Sequence, residues 1–402
     1  MDAFGCLRVS EKFTTFESST YGLSGSNDAD LWITELYNSS TATRDSTNNF
    51  LPLTVTTTSG SYVLRQTKHN MIYQPGKSRL TMYTCVPLTS GSSSVTSYIG
   101  LFSTTTSSNV VTITNGHYLK VNSTVSLAET LNNSETAVAQ SSWNIDKMDG
   151  TGISGKTLNT NKNILLIIDQ QYLGIGRVRM GFSIGGIIYY AHQFTHDDIT
   201  VPYIFTARIP ISYYIQSNGG SGTLRQFCCT CISEGGLSIL GRRLSNGTTA
   251  GGVTLASTDT KYVICGFRVN SSHTTTMFYP SYISAICKEG GSTKIIKVQL
   301  QLHSTNGTSI GAVSGSISWT SLYNNSTLDN MIGDGTQSVT TDGYILHTEM
   351  VTVGTSTNFN FTSLTPHLSR FLATQYDQVY LIVSCNTSNT IVSGSMDVFE
   401  IF

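Results

Sequence analysis

Apolar positions along the chain recur with a period close to two almost everywhere, and Gly, Asn and Ser collect between the apolar runs. That pattern predicts strands with one buried face, joined by tight turns. The clearest stretch is a meander: ILLIID from Ile164, YLGIGRVRMGFSI from Tyr172 and IIYYAHQF from Ile187. Gly185-Gly186 is its two-residue hairpin turn, because glycine takes the positive φ that such turns require.

Strands are also expected at LPLTVTTT from Leu51, SYVLRQT from Ser61, RLTMYTCVPL from Arg79, SYIGLFS from Ser97, NVVTIT from Asn109 and HYLKVNS from His117. With ISYYIQ from Ile211 and LRQFCCTCIS from Leu224 they would complete one jelly-roll-like sandwich, residues 51–248. Beyond the Gly-rich join NGTTAGG around Asn246, the runs KYVICGFRV, KIIKVQLQLHS, GSISWTSLY, YILHTEMVTV, VYLIVSC and SGSMDVFEIF predict a second β-sandwich, residues 249–402. Residues 1–50, polar around the strand-like island LWITELY from Leu31, read as an N-terminal arm, either docked on a neighbour or a loose terminus. Two segments suit short helices: VSLAETLNNSETAVAQ from Val125 and PHLSRFLATQY from Pro366. The fold class expected is therefore all-β: two jelly-roll-like β-sandwich domains with a short N-terminal arm.

Composition narrows the function. The 402 residues are ample for sizeable cores, so disulfide staples are unnecessary and the eight cysteines read as mostly buried thiols from a reducing compartment. Charged residues are 12% of the chain, about half the usual share, and the net charge is −1, which gives no field to attract phosphate backbones. Twenty Tyr and 16 Phe suit a protein that meets neighbours across wet surfaces. The start, MDAFGCLRVSEKF, has neither the basic nor the apolar stretch of a secretory signal, and no run approaches a membrane span. The triplets at Asn38, Asn122, Asn246, Asn270, Asn306 and Asn386 match the glycosylation pattern, which this composition produces by chance.

Several strings match chemical motifs, and the residues around each decide its reading. Gly150 to Thr157, GTGISGKT, matches a P-loop with Lys156 as the phosphate lysine. A P-loop follows an apolar strand and opens a helix, whereas polar SSWNIDKMD precedes this match and LNTNKNILLII follows it, so a Gly-rich loop is expected. GFSIG from Gly181 matches the nucleophile elbow, but Ser183 stands just before a hairpin turn instead of a strand-to-helix turn. His192, His196, Asp197 and Asp198 have metal-ligand chemistry, yet on a strand the two histidines stand about 13 Å apart at roughly 3.3 Å per residue. Cys229 and Cys231 fall on one strand face and Cys228 on the other, which is not the spacing of a zinc or redox site. Arg177, Arg179, Arg208, Arg225, Arg242 and Arg243 are spread singly and read as partners within sheets or between subunits, not as a nucleic-acid groove. A paired-carboxylate site would be spatial, so the sequence neither offers nor excludes one.

The central run carries a resemblance. SSWNIDKMDGTGISGKTLNTNKN, QYLGIGRVRMGFSIGGIIYYAHQFTHDD, PYIFTARIPISYYI and SGTLRQFCCTCISEGG together resemble β-sandwich structural proteins of large icosahedral DNA viruses and related phage-like elements. Trp143-Asn144 and Asp149-Gly150-Thr151-Gly152 mark the loop, Leu173 to Arg179 the long strand, and Ser233-Glu234-Gly235-Gly236 the exit turn, over residues 60–260. The resemblance implies a virion capsid protein made in the host cytoplasm, of penton (vertex) or minor capsid type, since the motifs of the major capsid protein are missing. It implies no catalytic, cofactor-binding or metal-binding residues. The expected partners are copies of itself in a homo-oligomer such as a pentamer, and other capsid proteins, with no nucleic acid. A fibre or receptor protein that grips glycans by its loops is the alternative, and an enzyme stands behind both.

Overall fold

The computed structural model describes residues 12–19, 31–89, 94–205, 208–236, 241–273, 276–289, 294–304, 310–323, 326–361, 368–372 and 375–401. The chain is all-β and divides into two units, 1–238 and 239–402.

Among the described residues the first unit holds fifteen strands in chain order: β1 (Lys12–Ser19), β2 (Trp32–Tyr37), β3 (Thr41–Ala42), β4 (Leu51–Val55), β5 (Tyr62–Thr67), β6 (Ser78–Val86), β7 (Val95–Ser107), β8 (Val110–Val121), β9 (Val125–Leu131), β10 (Ser134–Ala139), β11 (Ile164–Gln170), β12 (Gly176–Ile184), β13 (Ile187–His196), β14 (Ile211–Ser217) and β15 (Gly222–Glu234). They form two antiparallel sheets. Sheet A runs β13-β12-β11-β6-β15-β4-β3 with β1 also on β15, and sheet B runs β10-β9-β8-β7-β14-β5-β2. Alternate residues of each strand point between the sheets. Leu166, Ile168, Val178, Met180, Phe182, Tyr83 and Cys85 come from sheet A, and Ile99, Leu101, Leu119, Leu127 and Tyr213 from sheet B. Each such side chain removed from water contributes about 1.5–3 kcal/mol.

The opposite face of sheet B is apolar as well. Tyr62, Leu64, Tyr98, Phe102, Tyr118 and Tyr214 are buried there, with Tyr98 stacked on Tyr214 at 5.1 Å. Strands buried on both faces lose the alternation of half-buried ones, which is why SYIGLFS is nearly continuous in apolar residues. The two strands expected from Asn109 and His117 are one, β8, because Gly116 carries the strand past Phe102. A Cβ at Gly116 would lie 2.3 Å from the Leu101 carbonyl oxygen, and its φ is +142°.

Other expectations are corrected as well. The segment from Val125 is the hairpin β9–β10 and not a helix, because Asn132 and Asn133, at φ +48° and +66°, close a two-residue turn that both asparagines tolerate. Of the second helix candidate, Leu368–Leu372 is a strand paired with Gln375–Cys385, and Pro366 and His367 lie outside the described residues. Within 1–50 the described residues are no free arm: β1 pairs with β15, β2 with β5 and β3 with β4. Trp32 draws β2 inward, with its indole buried 4.6 Å from the Arg65 guanidinium and 5.9 Å from Tyr213. The boundary between units falls at 238/239 and not 248/249, because Arg242–Gly247 pairs with Thr390–Ile401 of the second unit.

The second unit packs its own core from Phe267, Ile283, Val298, Leu381, Met396 and neighbours. Met277–Glu289 lies between Thr390–Ile401 and Ser356–Asn360, and Gln375–Cys385 lies between Tyr262–Val269 and Ile295–Ser304. Among the described residues no helix is long and apolar enough to cross a membrane.

Candidate functional site

The look-alike motifs sit where the strand reading put them. In the loop 146–157 the Asp146 carboxylate accepts from the N–H groups of Met148 (2.8 Å) and Ser154 (2.7 Å), which takes up amides a phosphate would need. Lys156 Nζ stands 6.0 Å above the Tyr189 ring, and the next regular element is strand β11 instead of a helix. Ser183 lies in β12 opposite Ile188, next to the Gly185-Gly186 turn at φ +61° and +82°. Strand β12 itself starts at Gly176, so Tyr172 to Ile175 is loop.

The arginines work separately. Arg179 pairs with Asp169 at 2.5 Å while Tyr190 donates to the same carboxylate at 2.7 Å, Arg225 stands over Phe50, and Arg243 pairs with Asp397. Cys229 and Cys231 are buried among core residues and Cys228 is exposed on the other face. Cys6 and Asn306 lie outside the described residues. Asn246 is buried, with its amide donating to the Met331 carbonyl, which closes it to modification in the folded chain.

The histidines come closest to a site. Both His192 and His196 point inward from β13, and Asp197 and Asp198 turn to solvent, so the four do not converge. Among the described residues no group of His, Cys, Asp and Glu is placed to hold a metal ion. His192 Nδ1 accepts from the Asn144 N–H. His196 instead meets a partner from the opposite sheet: its Nε2 lies 2.9 Å from Glu129 Oε2 on β9, and its Nδ1 lies 2.9 Å from the Gly176 carbonyl oxygen. Two such acceptors favour the imidazolium, which has a proton on each nitrogen to donate. His117 on β8 brings its Nε2 to 3.5 Å from the same Glu129 oxygen, a Coulombic contact and not an aligned hydrogen bond.

All three side chains are nearly sealed from water, and the electrostatics follow from that. Burial disfavours the His196 imidazolium, but its bond to Glu129, the carboxylate charge and the Gly176 carbonyl outweigh burial and hold its pKa above the ordinary value. For His117 burial wins over Glu129 and pushes the pKa down. Burial alone would raise Glu129, yet the two imidazoles hold it down to about 2.

Above this cluster lies the loop end of the sandwich. The Tyr203 ring stacks on His196 at 4.1 Å and 11°. Its hydroxyl donates to the Gln171 carbonyl at 2.8 Å and accepts from Gln170 Nε2 at 3.0 Å, and Gln170 in turn accepts from buried Arg79. The Tyr203 N–H donates to the Gly174 carbonyl, so the loops 171–175 and 197–205 are bonded together. A cavity of about 240 Å³ opens here, with Leu131, His196, Ile199, Pro202, Tyr203 and Phe205 in its wall. Around it Leu173, Ile175, Val201 and Phe205 are 58, 51, 64 and 66% exposed. Large apolar side chains gathered this way on the surface mark contact sites.

A second concavity, about 570 Å³, lies on the outer face of sheet A. Register places Ser19, Cys228, Thr84 and Leu165 in one row across four strands, and Glu17, Thr230 and Met82 in the row beside it. The surface mixes hydroxyls and a carboxylate with apolar side chains. Cys228 is the exposed member of the described cysteines, while burial pushes the Cys85, Cys229 and Cys231 thiols up. Iodoacetamide on the native chain should therefore alkylate Cys228 and leave those three unmodified until denaturant is added, as peptide mapping would read. Equal labelling of Cys229 and Cys228 would contradict the register of β15.

No protein-family model matches the chain, and no curated protein matches it. Among solved structures it is similar to a protein of unknown function from Shewanella oneidensis MR-1, at 12% identity over 57% of this chain and 90% of that chain, TM-score 0.37. It is also similar to peanut lectin crystallised with a nine-residue peptide, at 12% identity over 56% of this chain and 98% of that one, TM-score 0.36. An endo-1,3-beta-glucanase from Streptomyces sioyaensis matches at 9% identity over 55% and 96%, TM-score 0.37.

Proposed function

We propose that this chain is a non-catalytic structural component of a virus particle, of penton or minor capsid type, which assembles with copies of itself through the loop end of its first sandwich. The observation that carries the assembly half is the apolar rim: Leu173, Ile175, Val201 and Phe205 stand in water on two loops that are hydrogen-bonded to each other. An exposed apolar patch beside a cavity has the form of an interface core, where buried anchors supply most of the binding energy. The particle half is supported by the resemblance of the central run to viral β-sandwich proteins. In that setting the chain resides in the capsid, beside other capsid proteins, after synthesis in the host cytoplasm.

Peptide mass spectrometry of purified particles, combined with mild protease treatment, tests this. Peptides of the chain in stoichiometric amount, with the segment 171–205 protected in the particle and cleavable in the free chain, are expected. Absence from the particle would remove the proposal.

Glycan or receptor binding is a second reading, favoured by the cleft on the outer face of sheet A. Its hydroxyls and the Glu17 carboxylate beside Met82 and Leu165 offer hydrogen bonds next to apolar surface, which suits a sugar ring. Glycan-array binding lost in Thr230→Arg would favour it, and an array with no binding would remove it.

A further inference from the structure

The cluster beneath the loop end ties together what the sequence holds apart. Glu129 belongs to sheet B and His196 to sheet A, so their contact is a bond between the two layers, made at the end of the strand that leads into the loop 197–205. The loop rests on the same ring through the Tyr203 stack. The ionisable groups around it come from several elements: His117 from β8, Glu129 from β9, His192 from β13, Asp197 and Tyr203 from the loop, and Arg79 from β6 through Gln170. One carboxylate thus serves two imidazoles, and His196 has an acceptor on each nitrogen.

We propose that His196, Glu129 and His117 form a pH-operated tie between the two sheets, closed near neutral pH and loosened by acid, which controls the loop that carries Tyr203, Val201 and Phe205. With one proton pair on His196 and none on His117, a single cation faces a single anion. Acid adds a second imidazolium at the same carboxylate, 6.5 Å from the first ring centre to centre, where burial leaves little water to screen the repulsion.

The signs are separable. His117 is held below its unfolded value, so the stability it contributes is present above about pH 6.5 and lost as pH falls. Glu129, held at about 2, adds a further loss as pH falls below the ordinary carboxylate range. His196 is held above its unfolded value, so its contribution is present below about pH 6.5 and lost as pH rises through its folded pKa. Stability from this cluster therefore peaks near pH 6.5 and falls on both sides.

The tie stands on its own geometry; its effect on assembly rests on the function proposed above. The test uses the full chain and His117→Gln, unfolded thermally from pH 8.5 to pH 5, with a pH titration of the histidine ring carbons of the wild-type chain by NMR and the solution mass recorded by light scattering. The wild-type midpoint should fall between pH 7 and pH 5, and His117→Gln should lose about 2–4 °C less over that interval. One ring should titrate above and another below the ordinary histidine value, with the loop resonances of 197–205 broadening on the acid side. Parallel midpoint profiles, or all rings titrating at the ordinary value, would overturn the tie. If His117→Gln does not fold, the wild-type ring titration decides alone. A mass that falls with the acid transition supports control of assembly, a mass constant through that transition overturns it, and a monomer at every pH with the split titration intact overturns the assembly reading and leaves the tie standing.

Discussion

Replacing Glu129 by alanine is expected to destabilise the first unit by about 3–5 kcal/mol, the cost of removing one partner from a buried ion pair. Glu129 is 7% exposed, and its loss leaves the His196 ring with the Gly176 carbonyl as its acceptor and takes from His117 the carboxylate beside it. The ring must then shed a proton or hold a buried charge unpaired, and either choice weakens the stack with Tyr203. Arg243→Ala is the internal comparison. Its pair with Asp397 is shorter, at 2.5 Å, but the arginine side chain is 59% exposed, so the loss should stay within about 1 kcal/mol. Denaturant unfolding followed by Trp fluorescence separates the units, since Trp32 and Trp143 lie in the first and Trp319 in the second. A loss below about 1 kcal/mol for Glu129→Ala would mean that His196 is neutral in the fold.

The double change Val201→Asp, Phe205→Asp is expected to weaken self-association on the order of a thousand-fold while leaving the fold intact. Both side chains are about two-thirds exposed in the single chain, so neither supports the core, and the thermal midpoint should move little. In an assembled interface the same positions would be desolvated anchors, and losing two at about 2 kcal/mol each gives that factor. Ile153→Asp, at a 95% exposed position on the 146–157 loop, should change nothing and serves as the comparison. Association unaffected by the double change would move the interface elsewhere on the chain.

The strands were legible because period-two patterning and turn chemistry agree in most places. ILLIID, the Gly185-Gly186 hairpin and the opposed faces of Cys228 and Cys229 all followed from the residues themselves. The errors have identifiable causes. VSLAETLNNSETAVAQ is rich in Ala, Leu and Glu, which favour helix, and that propensity hid the Asn132-Asn133 turn signal. Polar flanks hid the pull of Trp32 on its strand, because a single buried indole with a guanidinium over it outweighs the composition around it.

The site was half legible. His196 stood out for its chemistry, but Glu129 lies 67 residues away on the other sheet, inside the segment that reads as helix. As a strand, β9 sends Glu129 between the layers with Leu127, and no spacing along the chain announces a contact between sheets. The apolar rim was equally hidden. Leu173 and Ile175 read as part of a strand, and only the loop between β11 and β12 turns them into water.

If the chain is the self-assembling structural protein proposed above, sedimentation equilibrium of the purified wild-type chain decides it. A closed oligomer is predicted, with a mass that is a whole multiple of 43.5 kDa and collapses to a single chain in Val201→Asp, Phe205→Asp. A wild-type chain that sediments as a 43.5 kDa monomer at concentrations of about 10⁻⁵ M, well above the dissociation constants of specific complexes, would contradict it.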